Sequence, residues 1–149
     1  MIRLATIEDM PEMIRIGRNF SGFVPHGDGI IPDDEQLERS LTTLFNLGGV
    51  VFLAEKGGEV IGGLVAILSP VWYNMDRFYA TELGWWVEKE HRTGTTALRL
   101  VKVFEKWAKD SGAEYATMCN MIHANEKQIG VVYEKKGYIM VEQTFMKKI

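Results

Sequence analysis

Residues 79–112 read YATELGWWVEKEHRTGTTALRLVKVFEKWAKDSG, and this stretch narrows the choice of fold more than any other in the chain. It opens with an apolar, aromatic run, YATELGWWV, that has the composition of a strand. A short loop holding a basic residue, a glycine and three threonines follows. The chain then changes to helical spacing, with Ala97, Leu100, Val101, Phe104, Trp107 and Ala108 on one face and Arg99, Lys102, Glu105, Lys106 and Lys109 on the other. Gly112 ends the helix. A strand, a tight loop and an amphipathic helix form a unit that must bury its apolar face against a sheet.

The loop EHRTGTTALRL admits two readings. Thr93, Thr95 or Thr96 could cap the helix, with Arg92 solvated. Alternatively, the outward-pointing N–H groups and the helix dipole could form a nest for a phosphate.

The rest of the chain supplies partners for such a unit. IRLAT reads as a first strand and TIEDMPEMIRIGRNF as a helix capped by Thr6 or Asp9. SGFVPHGDGIIP is a loop, and DDEQLERSLTTLFNLGG is a second helix closed by Gly48 and Gly49. VVFLAE and VIGGLVAIL flank KGGE, which is a hairpin signal. SPVWYNMDRF reads as another loop. EYATMCNM is read as a strand, NEKQIGVVYEKKG as a short helix and YIMVEQTFMKK as a closing strand. The expected order is β-α-α-β-β-β-α-β-α-β, a mixed α/β (α+β) fold with a mostly antiparallel central sheet flanked by helices on both faces. A length of 149 residues suits one domain spanning 1–149.

Charge and cysteine usage exclude some functions. The net charge of -3 argues against a nucleic-acid partner that works by phosphate neutralisation, and is compatible with a cationic acceptor. Asp28, Asp33, Asp34 and Asp76 could draw such an acceptor, or could serve as loop and capping residues. Cys119 is the only cysteine, which fits a reducing, cytoplasmic setting, and it is expected to pack within its strand. The N-terminus lacks the pattern of a signal peptide, and no apolar run is long enough to span a bilayer. His26, His91 and His123 show no metal-ligand spacing. Trp72, Trp85 and Trp86 could line a substrate slot or pack in the core.

The segment WWVEKEHRTGTTALRL resembles the pyrophosphate loop of the GNAT superfamily of acyl-CoA-dependent N-acetyltransferases. Val87, Glu90 and Arg92 occupy the positions of its strand-end corner, and Arg92 and Ala97 the first and last positions of its Arg/Gln-x-x-Gly-x-Gly/Ala motif. Thr95 stands where that motif has glycine, and Gly94 comes one place early. NEKQIGVVYEKKGYIMVE resembles the family's closing segment, with Asn125, Tyr133, Lys135, Gly137 and Tyr138 at its marked positions. The hairpin FLAEKGGEVIGGLVAIL and the opening IRLATIEDMPEMIRI also fit the family, in the right order.

The resemblance implies acetyl-CoA as cofactor. Its pyrophosphate would lie on the loop of Arg92, Thr93, Gly94, Thr95, Thr96 and Ala97, and the threonine hydroxyls are expected to offset the missing glycine. Trp85, Trp86 and Val87 would pair with the pantetheine arm, a strand N–H would hold the oxyanion, and Asn125 would touch the arm or cap its helix. Tyr133 is the candidate general acid for the departing sulfur. Glu82 is the candidate base, or else a strand-end carboxylate paired with Arg77. Strict alternation along this strand would set Leu83, Trp85 and Val87 against Glu82, Gly84 and Trp86, and the sheet is expected to splay after Val87. The implied acceptor is a small-molecule or peptide amine, acetylated by direct attack in a ternary complex. A non-catalytic acyl-CoA-binding module and a protein N-terminal acetyltransferase are the alternatives. Homodimers occur in families like this one, and the sequence leaves the oligomeric state open.

Overall fold

The computed structural model describes residues 1–24, 30–121 and 126–147. They form two compact units, Met1–Cys119 and Asn120–Ile149.

The first unit is built on a five-stranded sheet in the order β1-β2-β3-β4-β5. The strands are β1 (Ile2–Leu4), β2 (Val50–Lys56), β3 (Glu59–Val71), β4 (Asn74–Val87) and β5 (Tyr115–Thr117). All neighbours are antiparallel except β4 and β5. Gly57 and Gly58 take φ of +63° and +88° at the β2–β3 turn, the left-handed pair that a tight hairpin requires. The expected loop SPVWYNMDRF is not a loop. β3 and β4 continue through it and turn only at Trp72 and Tyr73, because each strand completes the other's ladder up to Val71 and Asn74.

Two layers cover the sheet. The helices α1 (Met10–Ser21) and α2 (Asp34–Asn46) place Met10, Met13 and Leu44 against Val51 and Leu53. On the opposite face, α3 (Thr96–Asp110) packs Leu100, Phe104 and Ala108 onto Phe52, Ala54, Leu64, Ala66 and Ala80. The alternation of Val51, Phe52, Leu53 and Ala54 feeds both layers from one strand. Phe52 and Phe104 are almost fully buried, so truncating either to alanine should cost about 3–5 kcal/mol. Arg3 fixes the entry to α1. Its guanidinium grips both carboxylate oxygens of Asp9 at 2.7 Å, and its Nε donates to Glu55 at 2.7 Å. That pairing holds the Asp9 carboxyl well below the usual range.

The second unit contains α4 (Glu126–Lys135), which Gly137 terminates at φ +88°, with Tyr138 N–H returning to the Tyr133 carbonyl. Residues 138–147 take no strand conformation, although YIMVEQTFMKK reads as one. Ile139, Met140, Val141 and Phe145 are exposed there, so the alternating pattern has no ladder to join. The expected strand EYATMCNM is likewise reduced to Tyr115–Thr117, and Cys119 beyond it is exposed rather than packed.

Candidate active site

The site begins where β4 loses a neighbour. Along β3 it stays paired from Asn74 to Val87, but along β5 it is paired only at Tyr79, Ala80 and Thr81. The splay therefore starts after Thr81, six residues earlier than expected. Glu88 N–H donates to the Ile61 carbonyl on β3 at 2.9 Å. Since successive peptides of a strand face opposite edges, Trp85 and Val87 turn their backbone groups toward the edge that β5 has left.

A bulge redirects the side chains at this same place. Val65 lies opposite Gly84 and Ala66 opposite Glu82, which leaves Leu83 as the extra residue. The expected alternation is consequently overturned. Glu82 shares its face with Trp85 and Val87, which pack in the core under α3, whereas Leu83, Gly84 and Trp86 line the opposite face beneath α1 and α2. A Cβ on Gly84 would lie 2.9 Å from the Phe20 ring, so α1 can approach the bulge only over a glycine. Gly84 within an apolar strand is the one signal from which the bulge could have been read.

Glu82 is 3% exposed, the one buried charged residue among the described residues. Its Oε2 accepts the N–H of Cys119 at 2.8 Å, just past the end of β5, so the carboxylate spans the mouth of the fork. Desolvation pushes its pKa up to about 7, against the smaller opposing effect of the Cys119 N–H. Arg77 is not its partner, since that guanidinium pairs with Glu114.

The loop after β4 is held by short-range bonds. Lys89–His91 form a single turn, and His91 N–H returns to the Glu88 carbonyl at 2.8 Å. Arg92 donates from Nε to the Val87 carbonyl at 2.8 Å and lays its guanidinium 4.2 Å from the centre of the Trp86 ring. Its first role is thus to close the loop onto the strand. Glu88, which sequence reasoning passed over, collects Arg15 at 2.6 Å, Asn19 at 2.9 Å and the Trp86 indole N–H at 3.2 Å. Burial would raise the Glu88 carboxyl, but the hydrogen bonds from Trp86, Arg15 and Asn19 together hold it below the ordinary value.

Thr93, Gly94 and Thr95 are exposed, and Thr96 and Ala97 are half-buried at the start of α3. Thr95 sits at the N-cap position with φ −93° and ψ 3°, a backbone open to any residue, so glycine is not needed there. No side chain caps α3, and its first turn carries no acid. By contrast, Asp33 and Gln36 cap α2 reciprocally, with Gln36 N–H donating to Asp33 at 2.8 Å. The first N–H groups of α3 point outward beside an arginine-bearing loop, an arrangement suited to an anion.

On the α1/α2 face of the bulge lies a cavity of about 360 Å³. Met13, Phe20, Leu41, Val65, Leu83 and Trp86 are among its walls. The cavity gave no sequence signal of its own, because its residues come from α1, α2, β2, β3, β4 and the segment between the two helices.

Tyr133 is buried within α4, its ring 5.5 Å from that of Tyr138. Asn125 lies outside the described residues, as do His26, Asp28 and His123. Among the described residues, no group of His, Cys, Asp and Glu suits a metal ion, and no helix is long and apolar enough to cross a membrane.

Residues 18–138 match the sequence model of the Acetyltransferase (GNAT) family. No curated protein sequence matches the chain. Several solved structures share its fold. A predicted acetyltransferase from Clostridium acetobutylicum, solved with acetyl-CoA, aligns with TM-score 0.74 at 17% identity, covering 99% of this chain and 95% of that one. The aminoglycoside acetyltransferase meta-AAC0020 from an uncultured soil metagenomic sample, solved with sisomicin, aligns with TM-score 0.77 at 18% identity, covering 100% and 95%. A ribosomal-protein-alanine N-acetyltransferase from Brucella melitensis biovar Abortus 2308 aligns with TM-score 0.76 at 16% identity, covering 100% and 99%. The family match extends over most of the chain and includes the forked strand, the arginine loop and the uncapped helix, and the chain belongs to the GNAT acetyltransferase family.

Proposed function

We propose that this protein is an N-acetyltransferase that uses acetyl-CoA and a primary amine. The observation that carries the reading is the forked sheet: β4 leaves β5 after Thr81 and runs directly into an arginine-closed loop and an uncapped helix start. An extended polar arm can add to an open strand edge as a further strand would, and a pyrophosphate can sit on helix N–H groups. The chain's residues fit the group on both counts.

When bound, acetyl-CoA supplies the acetyl thioester. The peptide groups of Trp85 and the N–H of Val87 would hold its arm at the open edge of β4, the Val87 carbonyl being taken by Arg92. The N–H groups of residues 93–97 take the pyrophosphate, with threonine hydroxyls as further donors, and Arg92 keeps the loop in place. A strand N–H at the open edge would be the donor to the thioester oxygen. Glu82 titrates near neutrality, so at physiological pH a large fraction is ionised and can take the proton released by the amine through a water at the fork. Tyr133 would be the proton donor for the thiol of CoA, since a phenol is protonated at neutral pH. The lone Cys119 fits a reducing cytoplasm.

A thermal-shift titration tests the reading. Acetyl-CoA at 100 times its Kd should stabilise the fold by about 2.7 kcal/mol. No shift with acetyl-CoA, CoA or longer acyl-CoAs removes the proposal. Stabilisation without turnover on any amine leaves a binding module instead of an enzyme.

A further inference from the structure

The cavity under α1 and α2 bears on the acceptor. It lies against the face of β4 onto which the bulge turns Leu83, Gly84 and Trp86, the residues next to Glu82 in the chain and beside the open edge. None of the described residues that line it is charged. Its two serines are already engaged: Ser21 donates to the Arg18 carbonyl at 3.0 Å and Ser40 to the Gln36 carbonyl at 2.8 Å. Among the described acids nearby, Asp33 caps α2, Asp34 pairs with Arg18, and Glu88 is held by Arg15, Asn19 and the Trp86 indole. A polycation entering this space would lose its hydration and gain no countercharge from the described residues of its walls. A volume of about 360 Å³ lies in the range of sites for small molecules.

We propose that this cavity is the acceptor site and that it takes a primary amine carrying an aliphatic or aryl group, with the apolar group against Val65, Phe20 and Leu41 and the amine at the open edge of β4 beside Leu83. The inference rests on the acetyl-transfer reading for the role of the amine, but the cavity's preference for apolar groups stands on its walls alone. In this proposal the described walls of the cavity select by apolar burial.

A homologous series of n-alkylamines from butyl to octyl provides the test, with spermidine as the polycation. Calorimetric binding is measured without cofactor, and kcat/KM with acetyl-CoA. Affinity should rise about two- to fourfold per methylene until the cavity is filled, and kcat/KM for hexylamine should exceed that for spermidine at least tenfold. Val65→Phe shrinks the cavity and should end the rise at a shorter chain, with the acetyl-CoA thermal shift unchanged. If Val65→Phe does not fold, Leu83→Lys replaces it. Leu83 is half exposed, and a cation at the bulge should weaken every amine about tenfold. A flat series, a preference for spermidine, or a wild-type response in the variant that folds overturns the inference. An acetyl-CoA shift with a flat alkylamine series rejects the acceptor class and leaves the acetyl-transfer reading standing. A rising series with no acetyl-CoA shift does the reverse.

Discussion

Glu82 accepts the backbone N–H of Cys119 at 2.8 Å, one residue beyond the last paired position of β4 with β5. A single buried carboxylate thereby closes the neck of the fork, and it does so without a countercharge among the described residues. Its pKa of about 7 means that the folded protein binds this proton more tightly than the unfolded chain, whose glutamate titrates near ~4.3. Stability contributed by the neutral form is complete below that value and is lost as pH rises through about 7, an effect on the order of 3 kcal/mol. Asp9 and Glu88 are shifted downward, so their titration affects stability below pH ~5 and leaves the neutral range to Glu82. Melting temperature should fall between pH 5 and pH 8, and Glu82→Gln should flatten that dependence. An equally steep pH dependence in the variant removes Glu82 as its source.

The same substitution separates brace from base. In the wild type, turnover should rise with pH as Glu82 ionises near neutrality. Glu82→Gln keeps an acceptor oxygen for the Cys119 N–H but no basic carboxylate. It should therefore lose that acidic limb and about 10²-fold in kcat while still melting cooperatively. A pH–rate profile that superimposes on the wild type assigns Glu82 to the neck of the fork only.

Tyr133→Phe tests the other end of the proton transfer. The ring stays in its buried place in α4 and only the hydroxyl is lost. Acetyl-CoA affinity should hold within about twofold, and kcat should drop roughly 10²-fold or more, the scale of a lost general acid. Unchanged turnover takes Tyr133 out of the chemistry.

Much of this was legible in advance, for definite reasons. The α3 pattern from Ala97 to Ala108 is strongly periodic, and the buried face follows it at Leu100, Val101, Phe104 and Ala108. The Gly57–Gly58 hairpin was equally clear, because few dipeptides accept two positive φ values. The parity of β4 was not legible. Period-two reasoning assumes a regular ladder, and one extra residue at Leu83 exchanges the faces of everything after it. The closing strand failed for a different reason. Alternation in 138–147 marks strand propensity, but a strand forms only where a ladder receives it. The cavity and the Glu88 cluster arise from residues far apart in sequence, which a local pattern cannot bring together.

Arg92 joins the end of β4 to the loop through two contacts, a hydrogen bond to the Val87 carbonyl and a stack on Trp86. Arg92→Ala should cost roughly 1–2 kcal/mol, and it should weaken acetyl-CoA binding by freeing the loop. Arg92→Lys keeps the charge and loses the planar stack and the Nε donor, so it should recover little of either. Full recovery of affinity by lysine would mean that charge alone matters at this position and that the geometry does not.

Thr95 offers the sharpest test of the loop. At φ −93° and ψ 3° its backbone gains nothing from glycine. Thr95→Gly should therefore lower stability by about 0.5–1 kcal/mol, through the greater freedom of the unfolded chain, and should not tighten acetyl-CoA binding. Thr95→Val keeps the β-branched shape and removes only the hydroxyl. If that hydroxyl donates to a phosphate oxygen, its loss should weaken acetyl-CoA about three- to tenfold while leaving melting temperature nearly unchanged. Taken together, the two variants separate backbone from side chain. Tighter binding in the glycine variant would show that Thr95 restrains the approach of the pyrophosphate, and wild-type affinity in the valine variant would show that the backbone N–H groups of α3 hold it without help from this hydroxyl.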